Sequence, residues 1–279
     1  MNAFSTDILI SKNGGKQSFI EAAEQSKVRL AKDILNRIAN GMSTPLLPFD
    51  LREKQRLEEA LSLIELRCLD LSDSWRRAAN SKYGIEFREY CSLAFDIRRV
   101  LPLSASPEER LKNTLRLAAV GVLGDRSADI RRYLNEHEES WYSADYPKTD
   151  WPRLVLHNVA SAFLFTVRKK NWQDVNKVAE SIKALRDQQI DYEQNYLKQD
   201  NSIRQIAAFE LIAFYQLAKA MEMLGIYVGE GAPPTIIDDI GFHFSRAVKA
   251  ADSAGIIELA ILSRWLGMAS ILLVRSTND

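Results

Sequence analysis

The chain has 279 residues, of which 46% are hydrophobic and 27% charged, a composition typical of a folded globular protein and unlike that of a disordered one. Lysine and arginine together number 37, the same as aspartate and glutamate, so no overall field would draw the molecule to nucleic acid. Residues 1–18 lack the continuous apolar run of a secretion signal, which predicts a cytoplasmic location.

Two long helices are predicted in the first 80 residues. The first covers about residues 17–40 and ends at Gly41, because glycine commonly terminates helices. Asp50 is a suitable N-cap for the second, which extends to about residue 80. Its apolar residues recur at helical spacing and predict one buried face. They are Leu57, Leu61, Ile64, Cys68 and Leu71.

A third helix is predicted to follow a break at Tyr83 and Gly84 and to end before Pro102. The next helix has the clearest start signal in the chain. Ser106 supplies a hydroxyl cap, Pro107 stands at the first helical position, and two acidic residues follow in the first turn. This helix is predicted to end near Gly124, and Ser127 is predicted to cap the one after it.

Residues 136–151 are polar and aromatic and are interrupted by Pro147, a composition that indicates a hinge or domain boundary. We therefore expect an N-terminal helical subdomain over residues 1–140. A C-terminal subdomain of paired antiparallel helices is expected over residues 141–279.

Five further helices are predicted in the C-terminal half. Two cover about residues 152–169 and 174–199, and three follow from residue 206 onward, interrupted at residues 229–234. The apolar stripes of the last three are Phe209, Ile212, Ala213, Leu217, Ala220 and Leu224; Ile240, Phe244, Ala247 and Ala251; and Leu259, Leu262, Leu266 and Ile271. Trp265, on the last helix, is expected in the core.

The predicted fold class is all-α, because alternation with period two never persists between turn signals. We expect an irregular multi-helix bundle or helical-repeat-like solenoid of about ten helices, without a strict repeat motif. The apolar segments are too short or too interrupted by charges to predict a membrane span.

No residue pattern predicts a catalytic site, a cofactor or a metal. The only glycine-rich stretch near the phosphate-binding pattern, Gly14–Gly15–Lys16, has Gln17 where a magnesium-binding hydroxyl should stand. Asp239 and His243 stand one helical turn apart, but no nucleophile accompanies them at matching spacing, so a surface or capping pair is favoured over catalysis.

The remaining histidines, His137 and His157, show no metal-ligand spacing, and His157 is expected in the core. The two cysteines, Cys68 and Cys91, lie far apart in the sequence within apolar helical patterns. We expect both to be reduced core residues and predict no disulfide framework.

Candidate interaction residues come from an aromatic cluster and from runs of basic residues. Aromatic rings beside basic side chains can stack nucleic-acid bases or can lock a loop against the body. Locking is favoured because Asp145 and Asp150 in the same stretch repel phosphate. The candidates are Trp141, Tyr142, Tyr146 and Trp151, with the basic residues Arg131, Arg132, Arg168, Lys169 and Lys170.

Three stretches resemble a known family: residues 115–129 (LRLAAVGVLGDRSAD), residues 172–192 (WQDVNKVAESIKALRDQQIDY), and residues 214–220 (FYQLAKA) followed by His243 and Phe244. They are similar to the N-terminal all-helical region of large bacterial DEAD/DEAH-box, superfamily 2 helicase-like proteins, several of which belong to anti-phage defence systems. The ATPase motifs of such helicases do not occur in this sequence. The resemblance implies a segment preceding a motor or a separately encoded subunit, and no functional residue carries over from it.

These observations favour a non-catalytic helical scaffold that docks a protein partner, either a helicase motor or a nuclease, in the same chain or a separate one. The alternative is a nucleic-acid-binding helical module that uses local basic patches. An enzyme with an unrecognised helical site is the third possibility, and it would need buried acids with shifted pKa values around a pocket.

Overall fold

The structure is a computed structural model that describes residues 15–40, 51–78, 81–102, 106–137, 151–168, 172–196, 202–230, 233 and 235–276. All regular structure in these ranges is helical and forms ten helices. The prediction of an all-α, multi-helix bundle of about ten helices is confirmed. By packing, the chain divides into two compact units, Met1–Leu101 and Pro102–Asp279, which we call the N-unit and the C-unit.

The N-unit consists of α1 (Gly15–Ala39), α2 (Leu51–Ala78) and α3 (Ser81–Val100), with α1 packed against both others. Glu65 of α2 binds Arg98 of α3, while Cys68 of α2 meets Cys91 of α3. Because the sequence order of these partners is reversed, α2 and α3 run antiparallel. The predicted break at Tyr83 and Gly84 is wrong: both residues lie inside α3, where Gly84 is buried and packing outweighs its low helix propensity.

The C-unit is built around its longest helix. Its elements are α4 (Pro107–Leu123), α5 (Ser127–Glu136), α6 (Trp151–Arg168), α7 (Trp172–Tyr196), α8 (Ser202–Glu230), α9 (Ile236–Ser253) and α10 (Ile257–Ser276). Helix α8 packs against α6, α7, α9 and α10. This central position explains why α8 is apolar on several sides.

The predicted domain boundary after residue 140 differs from the observed division at Leu101 and Pro102. Helix α4 packs against α10 and α6, and α5 packs against α6. Residues 107–136 therefore belong with the C-terminal helices, because they bury their apolar faces against partners that are distant in the sequence.

Local start and stop signals account for several helix ends. The Ser106 hydroxyl accepts a hydrogen bond from the Glu109 amide at 3.5 Å, with Pro107 at the first helical position, as predicted. Ser127 is the first residue of α5 and not its cap, because Arg126 occupies the cap position.

Two three-residue turns of the same type join α4 to α5 and α9 to α10. In each, an amide bonds the carbonyl five residues earlier: Arg126 to Gly121 at 2.8 Å, and Ile256 to Ala251 at 2.9 Å. Each turn contains one residue in the left-handed region, Asp125 (φ 59°) and Gly255 (φ 72°), as helix-terminating motifs of this kind require.

The predicted apolar stripes form most of the core. Every stripe residue of α2 and of α9 is buried, and Trp265 on α10 is fully buried, as expected. The α8 stripe is buried from Ala213 to Leu224, whereas Phe209 near the start of that helix is exposed.

Two helices have the length and composition of membrane-spanning segments: Ala208–Gly229 within α8 and Ile257–Arg275 within α10. More than half of each segment is buried inside the C-unit. Core helices of soluble proteins share these properties, so the two segments are weak indications of a membrane location.

Candidate functional site

The solvent-exposed side of α9 carries Phe242, Ser245, Arg246 and Lys249, and all four are exposed. Their spacing of three, four and seven residues places them on one helical face. The opposite stripe, which starts at Ile240, is buried where α9 packs against α8 and α10. We call the four exposed residues the α9 outer face.

This face carries an aromatic and cationic pair. The Phe242 side chain is 55% exposed, and the guanidinium carbon of Arg246 lies 5.5 Å from its ring centroid, within the range of a cation–π contact. The His243 ring meets Phe242 edge-on, with centroids 5.5 Å apart. Asp238 and Asp239 are exposed one turn earlier on the helix.

His243 points toward α8. Its Nδ1 lies 2.7 Å from the side-chain oxygen of the buried Gln216, so the Nδ1–H donates and the imidazole is held in one orientation. Burial, and then the charge of Lys219, lowers the pKa of His243, while the carboxylate of Asp239 opposes that shift. Asp239 thus acts on His243 through its charge, and the hydrogen-bond partner of the imidazole Nδ1 is Gln216.

A second polar group lies between α7 and α8 around the buried carboxylate of Glu222. Arg186 of α7 donates to it at 3.0 Å, and Lys219 donates at 3.3 Å. The Glu222 side chain is 6% exposed, and two cations satisfy its oxygens. This arrangement fixes α7 relative to α8, as paired and hydrogen-bonded buried charges do.

A cleft of about 310 Å³ opens between α4, α8 and the start of α10, at the lower end of the volumes that hold small ligands. On its rim the Arg116 guanidinium lies 3.8 Å from the Glu258 carboxylate, and Lys112 binds Glu108 at 2.9 Å. Its lining residues are Glu108, Lys112, Arg116, Leu156, Glu210, Phe214, Ile256, Glu258, Leu259 and Leu262. These charges largely neutralise one another, and the floor is apolar.

In the N-unit, the thiols of Cys68 and Cys91 are in contact, with their sulfurs 3.8 Å apart. Both are free thiols and fully buried, which confirms the predicted core placement. Their contact was not predicted, because residues 23 positions apart meet only through the antiparallel pairing of α2 and α3.

Most of the predicted aromatic and basic cluster lies outside the described residues. This part comprises Trp141, Tyr142, Tyr146, Lys169 and Lys170. Trp151 is the first residue of α6, but its side chain also lies outside the described part of the chain.

The remaining predicted basic residues lie on α5 and at the end of α6. Arg132 is exposed and binds Asp129 at 2.7 Å, whereas Arg131 and Arg168 are half-buried. Arg168 is also engaged in an interaction of its own. The positive charge available for phosphate binding on α5 is therefore reduced by Asp129, which also binds Arg126 at 2.6 Å.

The other two histidines lie at the end of α5 and within α6. The Nδ1–H of His137 donates a hydrogen bond to the Tyr133 carbonyl at 2.9 Å, and the imidazole stacks on the Tyr133 ring. His157 is half-buried on α6, and burial lowers its pKa. Within the described ranges, no three histidine, cysteine or acidic side chains are grouped so that they could bind a metal.

Comparisons with protein-family models, curated proteins and solved structures found no match to this chain. The helicase-like resemblance in the sequence therefore stays a prediction.

Sequence reasoning missed the α9 outer face and the Glu222 network for different reasons. The spacing of Phe242 and Arg246 was readable as one helical turn, although nothing in the sequence indicates which face of an amphipathic helix has a function. The partner of Glu222, Arg186, stands 36 positions away on another helix, and no local pattern reveals such a pair.

Proposed function

We propose that this chain is a non-catalytic helical scaffold that docks a protein partner, a helicase motor or nuclease of an anti-phage defence system. The nature of the partner rests on the sequence resemblance alone. The docking role is supported by the chemistry of the described surface.

The observation that carries the proposal is the exposed pair of Phe242 and Arg246 on the α9 outer face. Aromatic and arginine side chains are enriched at the centres of protein interfaces, where they provide most of the binding energy. Phe242 is held on a helix whose opposite face is packed into the core, so little conformational entropy would be lost on binding.

The charges around this pair define what a partner would present. Arg246 and Lys249 favour carboxylates on the partner, Phe242 favours an apolar pocket beside them, and the exposed Asp238 and Asp239 favour cations. The acidic residues Glu222, Glu65 and Asp129 are already paired with cations inside their units. Those residues therefore support a structural role and not an acid–base role.

The alternative, a nucleic-acid-binding module, is favoured by one feature of the same face. An aromatic ring beside Arg246 and Lys249 could stack a base and contact phosphate. Against it, Asp238, Asp239 and Asp252 are exposed on the same helix and would repel the phosphate backbone. Docking of a protein partner is therefore the function that we propose.

The test is quantitative affinity purification of the tagged chain from its native host, comparing wild type with the variant Phe242→Asp/Arg246→Glu. We expect the wild type to enrich a helicase or nuclease and the double variant to lose it by tenfold or more, roughly the loss of one or two interface anchors. Unchanged enrichment by the double variant would exclude the α9 outer face as the docking site.

Two matched variants control this experiment. Arg264→Glu reverses an exposed charge on α10, and Leu66→Asp replaces an exposed apolar residue in the N-unit. Both should keep the partner. Binding of the purified chain to DNA and RNA oligonucleotides across a salt series tests the nucleic-acid-binding alternative. If that alternative holds, the affinity should fall steeply with rising salt, because phosphate contacts depend on ionic strength.

A further inference from the structure

The N-unit contains a feature that the scaffold role does not use: its two thiols touch. Cys68 and Cys91 are the only cysteines in the chain, and they occupy facing positions on α2 and α3 with their sulfurs 3.8 Å apart. Both side chains are fully buried. Any contact with a third thiol would require the helices to open, whereas contact with each other is built into the fold.

Neighbouring ion pairs hold these two helices in register. The Arg98 Nε donates to Glu65 at 2.9 Å on one side of the thiol pair, and Arg67 donates to Glu86 at 3.2 Å on the other. A disulfide has an S–S bond of about 2.0 Å, so the sulfurs must approach by a little under 2 Å from their present contact. Side-chain rotation with a small adjustment of the helices provides a movement of this size.

We propose that Cys68 and Cys91 form a reversible oxidation site, at which hydrogen peroxide converts the two thiols into an intramolecular disulfide joining α2 to α3. In the first step, one thiolate attacks a peroxide oxygen, the O–O bond breaks, and a sulfenic acid and water are formed. In the second, the other sulfur attacks the sulfenic sulfur, the S–O bond breaks, and a second water leaves. Two thiols are oxidised, and one hydrogen peroxide is reduced to two waters.

The surroundings set the rate of this reaction. The hydrogen bond with Cys91, and then burial, raises the pKa of the Cys68 thiol, so the reactive thiolate is scarce in the closed unit. Oxidation is therefore expected to proceed through transient opening of α2 and α3. Once formed, the disulfide is shielded from external thiols by the same burial, so its reduction is slow as well.

The expected consequence is a more stable N-unit. The bond closes a loop that includes residues 69–90, and cross-linking such a loop reduces the conformational entropy of the unfolded chain. We expect the thermal midpoint of the N-unit to rise by at least roughly 5 °C on oxidation, while that of the C-unit, which contains no cysteine, stays unchanged.

The experiment treats the full chain with hydrogen peroxide and counts free thiols in denaturant. The expected result is a fall from two thiols to none, with a mass loss of two hydrogen atoms, monomers on non-reducing gels, and full reversal by dithiothreitol. Peptide mapping should recover Cys68 joined to Cys91. In a separate experiment, the backbone amides of α2 and α3 should exchange hydrogen more slowly in the oxidised chain than in the reduced one.

The single variants Cys68→Ser and Cys91→Ser are the matched controls. Neither can form the intramolecular bond, so each should retain its thiol, add oxygen atoms or form dimers between chains. Three wild-type results would overturn the proposal: two thiols that still titrate, oxygen added at both sulfurs, or disulfides only between chains. Because the wild type alone decides among these results, a folding defect in a variant does not affect the conclusion.

Discussion

The N-unit and the C-unit hold their helices together by different means. In the N-unit, ion pairs between helices are prominent, at Glu65–Arg98, Arg67–Glu86, Lys27–Glu59 and Arg37–Glu53. In the C-unit, helices approach closely at glycines, and the buried Glu222 network joins two of them. The N-unit has both cysteines and no histidine, and the C-unit has all three histidines and no cysteine.

This difference shows how the number of neighbours affects the way a helix is held. The three helices of the N-unit leave much of their side surface in water, where a pair such as Lys27–Glu59 forms without a large desolvation cost. Glu65–Arg98 is the mostly buried exception. Helix α8 of the C-unit packs against α6, α7, α9 and α10, and these contacts depend on the complementary shapes of the packed side chains. Substitutions that disturb close packing or a buried charge should therefore lower the stability of the C-unit most.

Replacing Glu222 with alanine is expected to be the most damaging single change. It leaves Arg186 and Lys219 without their shared carboxylate in a mostly buried setting and should lower the free energy of unfolding by about 3 kcal/mol. Urea unfolding monitored by circular dichroism measures this loss. The control is Glu180→Ala, which removes an exposed carboxylate from α7 and should change stability by less than about 0.5 kcal/mol. Equal effects of the two changes would show that the network contributes nothing.

Gly267→Ala tests the close approach of α9 and α10. A Cβ at this position would lie 2.9 Å from both the Cβ and the Cγ of Phe244, so the helices must shift, at a cost of about 2 kcal/mol. Gly241→Ala is the matched control, since its nearest neighbour would be the Ile271 Cδ1 at 3.8 Å. That change should be neutral or stabilising by about 0.5 kcal/mol, because alanine is the better helix former. Differential scanning calorimetry of the two variants decides the point.

Arg98→Met tests the N-unit. The Glu65 and Arg98 side chains are 14% and 8% exposed, so removing the arginine leaves a mostly buried carboxylate and should cost about 1.5 kcal/mol. Adding Glu65→Leu should restore most of that loss, because replacing both partners of a buried pair with apolar groups is often neutral. Hydrogen exchange in peptides from α2 and α3 measures both variants. If the double variant is clearly less stable than the wild type, the pair stabilises the unit on balance.

Acidification is expected to have the smallest effect of these changes. It should lower the stability of the C-unit and not, through histidine, that of the N-unit. Burial lowers the folded-state pKa of His157, and burial followed by the charge of Lys219 lowers that of His243, both from an ordinary value of 6.5. As pH falls below about 6.5, the unfolded chain takes up protons first, so the C-unit loses stability until the folded-state pKa values are reached. The N-unit has no corresponding loss from histidine.

Hydrogen exchange at pH 7.5 and 5.5, corrected for intrinsic rates, measures this difference for each unit. His157→Asn and His243→Asn together should remove the histidine contribution in the C-unit. If the drop persists in that variant, the pH dependence of the C-unit has another source.

Much of the fold was predictable from local pattern. The α2 and α9 stripes gave the buried faces correctly, and Ser106 and Pro107 marked the start of α4 correctly, because periodicity and capping act within a few residues. Gly84 misled the prediction of α3, since its low helix propensity is overcome by burial in the N-unit. The division at Leu101 differs from the predicted boundary for a related reason, because the partners of α4 lie on α6 and α10.

The amphipathic segments along this chain are sufficient to specify helices and an all-α protein, because each segment has its own apolar face and its own signals for the helix ends. Pairing between distant residues is a different matter. The contact of Cys68 with Cys91, the enclosure of Glu222 by Arg186, and the outward placement of Phe242 all depend on how helices dock. Docking is governed by complementary shape and desolvation across long sequence separations, and a single sequence has no local signal for either.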